Sequence, residues 1–455
     1  MVLKLVKVGT SRSFNKSASA HDPLLIWRQN DTTADRGFVF TGCILKRPNH
    51  RSANWQFHRC RNQRRREKLS QSKLKSRRAT TRPSVRTLPP ANAPLNAPRP
   101  NPPHLVEIWQ GGKFEEAISK HPPHIPPANL CLEQNQQETL RYLAGIRSHG
   151  NRVITGKERY VKRRKGRKPQ IKGYTDFSGL NRISTAVAVV LTAEYDRIAK
   201  SNKETPPTVN LHEWPDSIFV KLRELGFFEV LGHLPPQASN IVGNANTKTM
   251  QIIRAESNDD LGRIDEALLE LTAFLDIPAG IDIVVDMNSA ISEAISNMRH
   301  HAYPDEFPLP YPHVRSLWVS ATVNRDLNSL TVVAYDQGAT IPVTYPRIQR
   351  RDRVAKFLRR TVSRTPSFEF QYDGTYIRAA MKYGGSRTDQ KHRGKGLPQM
   401  LDVLDRVGTG RMKVYSRGGW CERKADGKFN SNATNLSIGG TLIEWNLELP
   451  TTRAV

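Results

Sequence analysis

Cysteine is scarce: Cys43, Cys60, Cys131 and Cys421 are the only four in 455 residues, and they form no C-x-x-C pair and no regular spacing. A disulfide framework and a zinc site are therefore unsupported, and a reducing compartment is the simplest setting. The His121/His124 and His300/His301 pairs lack the companion Cys or carboxylate cluster of a metal centre. No apolar run approaches the roughly 18 residues of a membrane span. The opening MVLKLVKVGTSRSF has no apolar region ending at a small-residue cleavage site, so no membrane association and a cytoplasmic location are expected. Acidic residues are also few, 42 against 70 Lys and Arg. The shortage is local: residues 1–170 hold 35 of the basic residues but only 10 of the acidic ones, so they carry +25 of the net +28. The basic balance thus describes a leading segment rather than the body of the chain. Trp55, Phe57 and Tyr160 are too sparse to make a base-stacking platform.

Four regions follow from composition. Residues 1–103 contain RCRNQRRREKLSQSKLKSRR, too charged to bury a core, and a Pro-rich stretch that favours extended polyproline conformations. The expectation there is a disordered basic extension, either a nucleic-acid-binding arm or a solvated tail. Residues 104–170 are expected to be partly ordered, with RYVKRRKGRK at 159–168 as a linker or surface hairpin. Residues 173–245 read strand, helix, strand, helix, as in a small α/β unit. Residues 247–450 read as a helix and mixed-sheet sandwich.

The last region carries the chemistry. In IDIVVDMNSAISEAISNM, the residues Ile283, Val284, Met287, Ile291, Ala294, Ile295 and Met298 recur at steps of three and four, which predicts one buried helical stripe. Glu293 and Asn297, four apart, stack on one face of that helix. An Asn oxygen suits a hard cation such as Mg²⁺, and a neighbouring carboxylate can orient or deprotonate a water. Two strand-like runs, LWVSATV and LTVVAY, then lead into Asp336, Gln337 and Gly338. There the glycine lets the backbone approach a flat ligand while the carboxylate accepts from an exocyclic amine. Further on, Gly394, Lys395, Gly396 and Leu397 precede the predicted helix PQMLDVLDRV, and glycines at a helix entrance expose N–H groups to phosphate. Gly439, Gly440 and Thr441 open the strand LIEWNLEL. The segment 344–392 reads as a polar and basic lid.

In this order the four motifs resemble the GHKL ATPase superfamily, the ATP-binding domains of histidine kinases, Hsp90 chaperones, type II topoisomerases, mismatch-repair ATPases and anti-sigma serine kinases. The likeness spans roughly residues 259–450. It implies an α+β two-layer sandwich with ATP and Mg²⁺ as cofactors. Asn297 would coordinate Mg²⁺ and Glu293 would act as base or polariser. Asp336 would bind the adenine amine beside Gly338, with Gly394, Lys395, Gly396 and Leu397 at the phosphates and Thr441 supporting the adenine pocket. One departure stands out: the second glycine of the D-x-G-x-G box is Thr340. Residues 173–245 look similar to a STAS-type domain, which would make Ser178 or Ser184 a phosphorylation switch; a plain reading makes Ser184 a helix cap.

The expected function is an ATP- and Mg²⁺-binding switch, an ATPase or kinase acting through a protein partner. Arg387, Lys391, Arg393 and Lys395 would neutralise phosphate charge. No histidine sits in an H-E/D-x-x-(T/N)-P setting, so an ordinary sensor histidine kinase is not expected. The alternatives are a nucleic-acid-associated protein working through its basic arm, and a partner-binding module that holds no nucleotide.

Overall fold

A computed structural model describes residues 103–449 apart from 203, 237–242, 278–279, 306–308, 310, 348–369 and 385–395. All described residues belong to one compact unit, Ala97–Val455. It is a mixed α/β structure with several sheets. The basic extension of 1–103 falls almost wholly outside the described residues, as do Gly394, Lys395, Arg387, Lys391 and Arg393.

The first elements build a small sheet. Strands β1 (His104–Gln110) and β2 (Lys113–Ser119) form a hairpin about Gly111 and Gly112. Both glycines have positive φ, 63° and 77°, the backbone that a two-residue hairpin turn needs and that other residues resist. Then come β3 (Asn129–Leu130), α1 (Gln136–Ile154), and the hairpin β4 (Val161–Arg164) and β5 (Arg167–Ile171). After β6 (Arg182–Ile183) follow α2 (Thr185–Asn202), β7 (Thr208–Val209), α3 (Asp216–Leu225) and the short α4 (Phe227–Val230). The sheet order is β4-β5-β2-β1-β7, with β2 and β5 parallel. The two strands within 173–245 find their partners upstream: β6 pairs with β3 and β7 with β1. The basic run at 159–168 is the β4–β5 hairpin.

The second group builds a large antiparallel sheet under helices. Strands β8 (Thr247–Thr249) and β9 (Ile253–Ala255) lead to α5 (Leu261–Phe274) and α6 (Gly280–Asn297), which runs on into a π-helical turn, Met298–Ala302. The turn before α5 is capped by Ser257, whose hydroxyl accepts from Asp259 N while Asp260 reaches back to the Ser257 backbone. Then follow β10 (Leu317–Asn324), β11 (Ser329–Asp336), the short α7 (Ile341–Thr344), α8 (Asp373–Tyr383), the short α9 (Gly396–Gln399) and α10 (Asp402–Val407). Strands β12 (Arg411–Ser416), β13 (Gly419–Lys424), β14 (Phe429–Ala433) and β15 (Thr441–Glu448) complete the chain. The sheet order is β14-β13-β12-β15-β11-β10-β8, with β9 also on β10.

Both faces of this sheet are buried. On one face, Val319, Ala321, Val332, Ala334, Val414, Ile443 and Trp445 pack under the α6 stripe, whose seven predicted residues are all buried. Each fully buried aliphatic side chain there contributes about 1.5–3 kcal/mol. On the other face, Trp318, Val333, Tyr335, Tyr415 and Leu442 join α2 and the aromatic side chains of α3 and α4 in a second core. Every residue of α2 from Thr185 to Ile198 is buried. That explains its first half, TAVAVVLTA, apolar on all sides rather than along one stripe, and why the buried Glu194 and Arg197 that follow are paired. Its far end reaches the small sheet, where Ile198 packs with Ile108, Ile171 and Val209.

Part of the segment read as a lid is a packed helix. In α8, Tyr376, Ile377, Ala380 and Met381 are buried. Its first residue, Asp373, accepts from Arg417 Nε at 2.8 and 3.0 Å and from Gly418 N at 2.9 Å. Residues 348–369 and 385–392 of that segment lie outside the described residues.

Candidate nucleotide site

Strand alternation decides which face carries the site. Along β11, Val332 and Ala334 join the helix-side core and Val333 and Tyr335 the opposite one. Asp336, two residues past Ala334, therefore directs its carboxylate to the helix side. Thr441 on β15 and Ser416 on β12 fall on the same side by the same rule. Register aligns them: Asp336 pairs with Thr441, and Thr441 with Ser416. The two hydroxyls are 2.9 Å apart, and Ser416 Oγ accepts from Ile341 N at 2.9 Å.

The Asp336–Gly338 turn closes against the end of the α6 helix. Asp336 accepts one hydrogen bond among the described residues, from Gly338 N at 2.8 Å. Burial pushes its carboxyl up to about 7, against the opposing pull of that N–H. Ala339 N donates to Ala302 O at 2.5 Å. A Cβ at Gly338 would overlap the Ala302 carbonyl, and one at Gly440 would overlap the Asp336 carbonyl, so both positions require glycine for close approach. Thr340 has φ −86° and ψ 156°, ordinary extended backbone in which a threonine costs nothing. Its hydroxyl is buried and unpaired among the described residues, as are both polar atoms of Gln337.

Glu293 and Asn297 sit half-buried one turn apart on α6. Gly396 faces both: a Cβ there would stand 2.9 Å from Glu293 Oε2 and 3.1 Å from Asn297 Nδ2. Leu397 anchors this entry by packing into the helix-side core and against the Tyr345–Tyr376 cluster. Thr441, Asp336, Gly338 and Ala302 are thus neighbours, and Ala302 ends the π turn that continues α6 past Glu293 and Asn297, the two side chains that Gly396 faces. Gly394 and Lys395 fall outside the described residues. Asn297 fits the minimal protein contribution to a Mg²⁺ ion, which keeps waters and takes phosphate oxygens for its remaining positions. Among the described residues no group of three or more His, Cys, Asp or Glu could hold a metal, and no helix is long and apolar enough to cross a membrane.

Sequence reasoning missed what stands behind Thr441. Arg147, from α1, donates from Nη2 to Ile438 O at 2.6 Å and from Nη1 to Ser437 O at 3.4 Å. Its guanidinium lies so close under Gly439 that a Cβ there would overlap it. Arg147 Nε meets Glu194 Oε1 at 2.6 Å, and Arg197 Nη2 meets Glu194 Oε2 at 2.9 Å. Arg197 also donates to Asn151 Oδ1 at 2.9 Å and Pro312 O at 3.3 Å. Burial raises the Glu194 carboxyl, but the two guanidinium groups outweigh it and hold the carboxyl low. No local pattern marks Arg147, because its carbonyl partners lie 290 and 291 residues away.

Elsewhere, Ser184 Oγ accepts from Val187 N at 3.3 Å, a cap on α2. Ser178 N donates to Asp176 Oδ1 at 3.0 Å. Comparison with protein-family models and with curated proteins gives no match for this chain.

Proposed function

We propose that this chain is an ATP- and Mg²⁺-binding switch protein, with a GHKL-type ATP-binding sandwich over 247–450, acting as an ATPase or kinase through a protein partner. The observation that carries the reading is Gly396 set against Glu293 and Asn297 together, on the same helix whose π-turn end, Ala302, meets the Asp336–Gly338 turn. Asn297 Oδ1 supplies one oxygen to Mg²⁺, and Glu293 orients or deprotonates the attacking water or hydroxyl. Asp336 accepts the adenine amine, with Thr441 and Ser416 beside it. Phosphoryl transfer needs chiefly positioning and charge neutralisation. The buried Thr340 hydroxyl, unpaired among the described residues, offers a further polar contact close along the chain to Asp336 and Gly338.

Calorimetric titration of ATP with and without Mg²⁺ tests this. Asn297→Ala should abolish the Mg²⁺-dependent part of binding, and Glu293→Ala should keep binding while losing turnover. Full hydrolysis by Glu293→Ala would remove the base assignment, and absence of Mg²⁺-dependent binding in the unaltered chain would remove the whole reading.

Two narrower readings accompany it. The surplus of Lys and Arg over acidic residues in 1–103 favours nucleic acid as a partner of the basic extension. The STAS-like reading of 173–245 makes Ser178 or Ser184 a phosphoacceptor, which mass spectrometry of the isolated protein checks directly.

A further inference from the structure

The β4–β5 hairpin concentrates positive charge more than folding requires. From Lys162 to Lys168 every residue is exposed, and all but Gly166 are Lys or Arg. Strand β4 is the outer edge of the small sheet. One or two lysines on an edge strand would suffice to block pairing with another chain. Here, instead, Arg164 and Arg167 stand directly opposite each other in the register, an arrangement of like charges that destabilises a strand pair.

Neighbouring acids offset only part of this. Arg163 pairs with Glu115 at 2.7 Å, and Lys168 pairs with Glu116. Lys162, Arg164, Lys165 and Arg167 meet no carboxylate among the described residues. Beside the hairpin lies a groove of about 500 Å³ whose lining includes Lys113, Arg159, Arg163 and His233. The one acid there, Glu204, is already held by Tyr160 N at 2.8 Å and Val161 N at 3.3 Å.

We propose that this hairpin is a contact for the phosphate backbone of a nucleic-acid duplex, separate from the ATP site and from the basic extension. The four unpaired cations would each replace counterions on a phosphate, and the Arg164–Arg167 repulsion would be relieved by the anion between them. A two-stranded ribbon has the width to follow a duplex groove. A bilayer is the poorer fit, because between Lys162 and Lys168 no apolar or aromatic side chain is available to enter it.

The test uses the full chain and a fluorescently labelled DNA duplex, with affinity measured by anisotropy from 50 to 200 mM NaCl. The variant replaces Lys162→Gln, Arg164→Gln, Lys165→Gln and Arg167→Gln together; its thermal melt checks that these exposed changes leave the fold intact. Four lost phosphate contacts should flatten the slope of log K against log salt by about 3 to 4, so binding weakens at low salt. An unchanged slope would mean that other basic segments do the binding and would overturn the proposal. So would the absence of duplex binding by the unaltered chain, or a variant that keeps duplex binding and loses only adhesion to vesicles containing phosphatidylserine.

Discussion

Removing the Glu194 side chain should be among the most damaging single changes outside the proposed nucleotide site. The carboxylate is fully buried and neutralises two guanidinium groups, Arg147 at 2.6 Å and Arg197 at 2.9 Å. Glu194→Ala leaves both cations in the core, and stripping one partner from a buried ion pair costs about 3–5 kcal/mol. The remaining acceptors, Ile438 O and Ser437 O for Arg147 and Asn151 Oδ1 and Pro312 O for Arg197, keep the cost within that range. Glu194→Gln retains the geometry and loses the charge, so about 2 kcal/mol is expected. Urea unfolding followed by tryptophan fluorescence reads both values. The folded carboxyl is held low, so its contribution to stability is complete above the unfolded value of about 4.3 and is lost as pH falls. Replacing the triad with Arg147→Met, Glu194→Leu and Arg197→Met should recover most of the stability. Under the proposed function it should not recover ATP affinity, because Arg147 no longer holds Ile438 and Ser437 next to Gly439. A loss below about 1 kcal/mol for Glu194→Ala would refute the view that this carboxylate is the counter-charge of the core.

Two further expectations concern the proposed nucleotide site. Asp336 is held near neutral pH by burial, and adenine needs its ionised form as acceptor, so ATP affinity should rise as pH increases through about 7; Asp336→Asn should flatten that profile, and a persisting pH dependence in the variant would assign it to another group. The same raised value means that Asp336 favours the fold below the unfolded range, and that this gain fades as pH climbs towards 7. Gly396→Ala meets only side-chain ends that can shift, so it should cost under about 1 kcal/mol of stability while weakening Mg²⁺-dependent binding about tenfold, whereas Gly338→Ala meets the Ala302 backbone and should lose about 3 kcal/mol or more. Thermal melts beside ATP titrations separate the two cases, and equal stability losses would contradict the contrast.

The legible parts of the chain were those whose burial is one-sided or whose period is regular. The α6 stripe and strands β10, β11 and β15 lie where the pattern puts them, since each presents a repeating apolar face. The β13–β14 hairpin was not legible: GWCERK and FNSNA have little β-branched content, and β13 pairs with β12 while β14 pairs with β13. Helix α8 was hidden by the charge of its surroundings. PQMLDVLDRV breaks into α9 and α10 around Met400 and Leu401, where Met400 O turns to accept from Trp445 Nε1 at 3.0 Å. Of the candidate site, Glu293, Asn297, Asp336 and Thr441 are singled out in the sequence by their spacing and strand-end positions. Ser416 and Arg147 were not, because each acts through a partner far along the chain.

The all-round burial of α2 has a consequence for biosynthesis. This helix leaves the ribosome before β10 and β11, the strands that cover one of its sides, have been translated. Until they arrive, the largely apolar first half of this helix is open to water and to other nascent chains, the kind of intermediate that aggregates or recruits chaperones. The carboxyl-terminal half is equally dependent: released alone, it would bare Trp318, Val333, Tyr335, Tyr415 and Leu442 to solvent. Neither half is a module that evolution or an experimenter can shuffle freely; a proteolytic cut between them should precipitate both.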